Sequence, residues 1–227
     1  GSRMYEDYCR EVGAPYTRAG ALVLAFDDEQ RKRVQALYEQ GLVNGVQELS
    51  VIERDKVIEL EPNVNPEVVC ALYAPTSALA SPYELTCALA DHAAVNGVAF
   101  LLNTEVSEII REKEGFRVIT GAGDMAAKIV VNCAGVDSAR LHNRLSEKKL
   151  TIVPRKGEYY LLDHQPTPLF THTMFQTPTA MGKGVLVTPT GHDTMLLGPS
   201  ATDENDPTDV STTAEALKLV REKAKLT

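Results

Sequence analysis

The sequence predicts an α+β chain. Its larger part is an antiparallel sheet with helices on one side, and its smaller α/β part is a three-stranded meander plus one parallel strand. Three observations carry this. Residues 157–198 hold four short apolar segments separated by Pro- and Gly-rich turns, the spacing of an antiparallel sheet. Residues 105–131 hold three more, joined by Lys113-Glu114-Gly115 and Gly121-Ala122-Gly123-Asp124. Finally, Ile129, Val130 and Val131 form a β-branched run suited to a strand buried on both faces, ending in Asn132, Cys133, Ala134 and Gly135. A strand that stops in Ala-Gly lets a ligand come close to its backbone, and in open α/β sheets ligands lie beyond the carboxyl ends of strands.

In chain order, residues 4–11 read as a helix closed by Gly13 and Pro15, and 21–26 as a strand. Asp27 offers a helix cap with Gln30 three residues on, and Val34, Leu37, Tyr38 and Leu42 follow at helical spacing. A strand over 47–52 and a helix over 54–60 stop at Glu61-Pro62, because the residue before proline avoids the helical region. Residues 68–74 make another strand. Ser81-Pro82-Tyr83-Glu84 supplies a cap, a first-turn proline and an acid at the third position, so a helix starts there and runs to Gly97. His92 suits a core or edge place on its apolar face. A short strand is expected over 99–102. Gly121-Ala122-Gly123-Asp124-Met125-Ala126 matches G-x-G-x-x-A, but that fingerprint needs a helix after it. Strand residues follow here, so it reads as a hairpin turn. A helix over 137–145, capped by Asp137 or Ser138, and one from a box of Thr212 and Glu215 to Lys225 complete the chain.

The 227 residues suit one large domain or two small ones, and 44% hydrophobic residues suit a folded protein. A net charge of −8 argues against nucleic acid as a partner. No apolar run approaches the roughly 18 residues of a membrane span. Cys9, Cys70, Cys87 and Cys133 lie far apart with no C-x-x-C, so they read as reduced, mostly buried thiols rather than a disulfide frame or metal site. The opening Gly-Ser reads as a cloning remnant, and the chain as a piece of a longer protein.

Several segments, taken in order, resemble a known family. They include Glu61-Pro62-Asn63-Val64-Asn65-Pro66, Asn103-Thr104-Glu105-Val106 and Val131-Asn132-Cys133-Ala134-Gly135. Others are Pro154-Arg155-Lys156-Gly157-Glu158-Tyr159-Tyr160, the stretch from Gly182-Lys183-Gly184 to Thr190, and Leu197-Gly198-Pro199. The chain resembles the FAD-dependent oxidoreductases of the D-amino-acid oxidase superfamily, and within it the bacterial anaerobic-type glycerol-3-phosphate dehydrogenases. L-2-hydroxyglutarate dehydrogenases and amino-acid oxidases of the superfamily are similar, and a binding module that has lost FAD is the reading from another class. The resemblance implies a substrate domain in two parts, 1–76 and 147–227, around a partial FAD-binding domain, 77–146. It implies FAD in the full-length protein, a small-molecule substrate and a cytoplasmic place, at most peripheral to the inner face of the membrane. It leaves open a membrane or electron-acceptor subunit. Such enzymes begin with a G-x-G-x-x-G turn and carry a late glycine-rich segment, and both are missing from this stretch. By itself the stretch is therefore expected to hold FAD poorly and to be inactive.

The resemblance implies hydride transfer from a secondary alcohol carbon to the flavin, with the protein positioning and polarising. Val106, Cys133, Ala134, Gly135 and Gly157 are then the residues expected against the cofactor, with Cys133 there for packing rather than redox chemistry. An anionic substrate needs cations, and Arg155, Lys156 and Lys183 are the candidates. Tyr159 and Tyr160 alternate along a strand, so one can face the site, and Tyr159 is the one expected there. Thr188, Thr190 and His192 follow on one strand and turn. His192 is the candidate base at neutral pH, with His172 as its rival. Arg155, Tyr159 and His192 form the expected catalytic set, and Lys183, Lys156 and Thr190 the substrate-binding one.

Overall fold

The structure, a computed structural model, describes residues 2–164, 167–178 and 184–227. In chain order, α1 (Ser2–Val12), β1 (Tyr16–Thr17), β2 (Ala21–Ala25) and α2 (Asp28–Val43) come first. Next are β3 (Ser50–Glu53), α3 (Arg54–Leu60), β4 (Cys70–Ala74), β5 (Leu79–Ala80) and α4 (Pro82–Val95). The middle holds β6 (Val106–Glu112), β7 (Gly115–Thr120), β8 (Gly123–Ala127), α5 (Ser138–Leu145) and β9 (Arg155–Lys156). Then β10 (Tyr160–Leu162), β11 (Thr173–Gln176), β12 (Leu186–Pro189), β13 (Met195–Gly198), β14 (Thr202–Asp203) and α6 (Ala214–Ala224) follow. Two compact units result. The first comprises Gly1–Ala93, Gly157–Ala201 and Ser211–Thr227, and the second Ala94–Lys156 and Thr202–Val210.

The first unit is built on a seven-stranded sheet of order β10-β13-β12-β11-β2-β4-β3. Its pairs are antiparallel, as expected, except that β2 and β11 run parallel with Ala21 opposite Thr173. Alternation along β2 explains the layers. Leu22 and Leu24 share one apolar cluster with Ala71, Met174 and Val187, packed by Val57 of α3 and Ala224 of α6. Ala25, Cys70 and Leu72 share another with Val34 of α2. Helices therefore cover both faces rather than one, and β2 is buried on both. The first break falls after Ala93 rather than at residue 76, because Leu85 and Ala88 of α4 pack on Cys9 and Ala14 at α1.

The helix starts follow local chemistry. Asp27 Oδ1 accepts the Gln30 N–H at 2.7 Å, and Gln30 Oε1 accepts the Phe26 N–H at 3.1 Å. Ser81 Oγ accepts the Glu84 N–H at 3.3 Å. For α6 the cap is Thr213, one residue after the expected Thr212, with its Oγ1 accepting the Ala216 N–H at 3.2 Å. The shift has a cause: the buried Glu158 carboxylate accepts both the N–H and the hydroxyl of Thr213, which pins it at the helix start.

In the second unit β6, β7 and β8 form the expected antiparallel meander. Its third strand is Gly123–Ala127 rather than the expected 127–131, and it starts inside the turn expected at Gly121–Asp124, so the G-x-G-x-x-A stretch leads into a hairpin and strand, with no helix after it. The run of Ile129, Val130 and Val131 is not a strand. Ile129 is 80% and Val131 77% exposed, because a strand buried on both faces needs neighbours and no described strand pairs with it. The strand predicted over 99–102 is absent for the same reason, with Phe100, Leu101 and Leu102 exposed. Cys133 and Cys87 are exposed, while Cys9 and Cys70 are buried, and all four are free. Among the described residues no helix is long and apolar enough to cross a membrane.

Candidate functional site

The second unit gathers three of the residues predicted to meet a cofactor. Val106 at the start of β6, Cys133 and Ala134 line one cavity of about 380 Å³, together with Asn132, Val131 and Arg140. Asn132 shapes the turn: its Oδ1 accepts the Ala134 N–H at 3.2 Å and its Nδ2 donates to the Ser138 carbonyl at 2.8 Å. Gly135 follows at φ +56°, opening a short 3₁₀ turn (Gly135–Asp137), and a Cβ added there meets nothing within 4 Å. The backbone at 133–135 is thus bare and accessible. Neither expected cap acts: Asp137 makes no side-chain cap bond, and Ser138 Oγ donates to the Gly135 carbonyl instead.

The cations of this unit are differently placed. Lys156 is 11% exposed and sits between Asp209 at 2.7 Å and Glu204 at 3.2 Å. The hydrogen bond to Asp209 holds its ammonium above the usual lysine range, against the pull of burial. Two carboxylates already neutralise it, and an anionic ligand would have to displace them. Arg155 is exposed and pairs with Asp203 at 2.7 Å across β9 and β14.

In the first unit, Thr188, Thr190 and His192 share a cavity of about 260 Å³ with Thr17, Ser81 and Leu196. Its walls are mostly apolar, contributed also by Pro15, Leu79 and Pro189. The hairpin between β12 and β13 is tied by threonines. Thr190 Oγ1 accepts the His192 N–H at 3.2 Å and lies 2.8 Å from Thr194 Oγ1, while Thr188 Oγ1 meets Thr173 Oγ1 at 2.8 Å. His192 Nε2 reaches Glu84 Oε2 at 3.1 Å.

The remaining candidates resolve differently. His172 is held inside the fold: its Nδ1 bonds Glu61 Oε1 at 2.6 Å, and its ring meets Tyr73 edge-on at 5.6 Å. Glu61 is 1% exposed, and the same oxygen also accepts the Thr171 and His172 N–H groups and the Thr171 hydroxyl. Burial pushes the Glu61 carboxyl up, but these hydrogen bonds outweigh it and hold it below the usual range. Tyr159 is half exposed and covers Gly198, whose added Cβ comes within 2.6 Å of its ring. Gly157 is small for a packing reason, since a Cβ there meets Pro199 at 2.8 Å. Lys183 lies outside the described residues. Sequence reasoning missed Glu84, Glu61 and Asn132. Glu84 had a local explanation as the third residue of a capping box, which hid its distant partner.

Residues 1–226 match the DAO family, the FAD dependent oxidoreductases. The chain belongs to that family. This DAO-family chain is 44% identical over 225 residues to a glycerol 3-phosphate dehydrogenase of Caloramator mitchellensis, covering 99% of the chain and 47% of that relative. It is 30% identical to the mitochondrial L-2-hydroxyglutarate dehydrogenase of Bos taurus, covering 88% of the chain and 46% of the relative. Among solved structures it is similar to dithionite-reduced L-alpha-glycerophosphate oxidase from Mycoplasma pneumoniae with FAD bound. The TM-score is 0.89 at 25% identity, covering 99% of this chain and 61% of that one. The chain spans about half the length of the curated relatives it matches.

Proposed function

We propose that the full-length protein is a flavin-dependent dehydrogenase that oxidises sn-glycerol 3-phosphate to dihydroxyacetone phosphate. The observation that carries this is the 44% identity to a glycerol 3-phosphate dehydrogenase along the whole chain. The residues of the second unit suit part of an FAD site. Small, exposed backbone at Cys133, Ala134 and Gly135 and the cavity shared with Val106 allow a flat group to lie against the chain. Held there, FAD would supply a two-electron acceptor for the hydrogen on the substrate's alcohol carbon. The proton of the hydroxyl on the same carbon goes to the protein, and His192 is the group that takes it. Its cavity has hydroxyls from Thr17, Ser81, Thr188 and Thr190 to orient a small polyol and apolar walls to exclude water. Arg155 and Lys183 are the cations for the phosphate.

The test uses full-length protein. It should be yellow, bleach on addition of sn-glycerol 3-phosphate and reduce a dye with that substrate. Bleaching by L-2-hydroxyglutarate or an amino acid instead would move the assignment to the other substrates of the family. A colourless protein that retains no FAD would turn it to a binding module.

A further inference from the structure

The Glu84–His192 contact joins an acid and an imidazole 108 residues apart in the chain. Glu84 sits in the first turn of α4, at the position from which a capping-box acid normally reaches back to the N–H of the cap residue. The backbone half of that box is made, by Ser81 Oγ and the Glu84 N–H. The side-chain half is not: the carboxylate extends to His192 Nε2. Ser81 and Pro82 at the start of α4 and His192 of the β12–β13 hairpin line one cavity, and Glu84 meets His192 at its partly exposed rim. The backbone of His192 is fixed separately, by its N–H to Thr190.

We infer that Glu84 is a positioning residue for His192, and this rests on the dehydrogenase reading above. A carboxylate only accepts hydrogen bonds, so the Nε2 of a neutral His192 carries the proton and Nδ1 keeps its lone pair. That tautomer is the one able to receive the substrate's hydroxyl proton at Nδ1. Proton transfer then leaves an imidazolium whose charge the Glu84 carboxylate faces at 3.1 Å, and the proton leaves to solvent in the next step. A base held by its backbone alone would sample both tautomers and several ring angles. Glu84 selects one of each, in the way a third group orients a catalytic base in other enzymes.

Two readouts test this. In full-length protein, Glu84→Gln should lower kcat about tenfold with KM little changed, a fraction of the roughly 10²–10⁴ that a base supplies and that His192→Ala should lose. In this chain, nitrogen NMR of the neutral His192 ring should show the Nε2–H tautomer, and Glu84→Gln should convert it to a mixture. An unchanged tautomer in Glu84→Gln, with α4 intact by its melting curve, overturns the positioning role. So does an unchanged kcat in a protein that His192→Ala inactivates. Full turnover in His192→Ala sinks the base assignment itself. Because the NMR measurement needs no turnover, a protein inert toward sn-glycerol 3-phosphate with a Glu84-dependent tautomer would reject the dehydrogenase reading while keeping the pair.

Discussion

The two units are made from similar raw material and meet opposite fates. In the first, the apolar residues of β2 are sealed on both faces, with Leu22, Leu24 and Ala25 wholly buried. In the second, Ile129 and Val131 of an equally apolar run lie open, as do Val95, Val98 and Leu102. The difference lies in neighbours, not composition. β2 has a strand on either side and helices above and below. The run at 129–131 has no described strand beside it. Strand formation by an all-apolar segment is a tertiary event, and identical local preference gives order in one place and bare side chains in the other.

Substitutions should separate the two units by size of effect. The largest belongs to the first unit's core: Leu24→Ala should lower unfolding free energy by about 2–5 kcal/mol in urea titrations, through lost burial and a residual cavity. A loss under about 1 kcal/mol would mean that the sheet is less tightly packed than its burial implies. Glu61→Gln comes next, at about 1–3 kcal/mol, because the donors gathered on its carboxylate lose their charged acceptor. This effect carries a pH signature. The folded-state pKa of Glu61 is depressed, so its contribution is present above the unfolded carboxylate value of about 4.3 and is lost as pH falls through the folded value. Melting curves of the parent and Glu61→Gln should therefore converge in acid, and parallel curves down to the acid limit would show that another group sets the slope. Asp27→Ala should cost about 1 kcal/mol, the usual loss of a helix cap, with no effect on the meander. The smallest change is predicted for Ile129→Ser, within about 0.5 kcal/mol, accompanied by weaker binding of a hydrophobic dye. A loss comparable to Leu24→Ala would show that Ile129 is covered in solution and would dissolve the contrast.

What was legible in the sequence was local. The boxes at Asp27–Gln30 and Ser81–Glu84 were readable because cap and partner lie within three residues. Thr188, Thr190 and His192 could be grouped because one strand and its turn carry all three, and they line one cavity. Cys133 and Ala134 were adjacent, and Val106 joined them through the family resemblance. The partners that stayed hidden were non-local. Nothing near Lys156 announces Asp209, 53 residues on, and nothing near His172 announces Glu61, 111 residues back. The parallel pairing of β2 with β11 left no mark either, since a run such as Ala21–Ala25 suits any central strand.

That parallel pairing shapes how the first unit can be assembled. β3, β4 and β2 come from one early stretch, and β10 to β13 from one late stretch, so each group can zip up from its own short-range contacts. Within the described sheet the β2–β11 border joins them, and Thr177 closes it by bonding the Leu24 carbonyl across 153 residues of chain. The entropy of bringing such distant segments together must be met where they join, at this border and at the Glu61 bonds to Thr171 and His172, which makes that joining the natural slow step in reaching the finished sheet. A ribosome releasing this chain would thus expose the free edge of β2, Ala21 to Leu24, until the late strands emerged, and any chaperone serving this protein would find its task there.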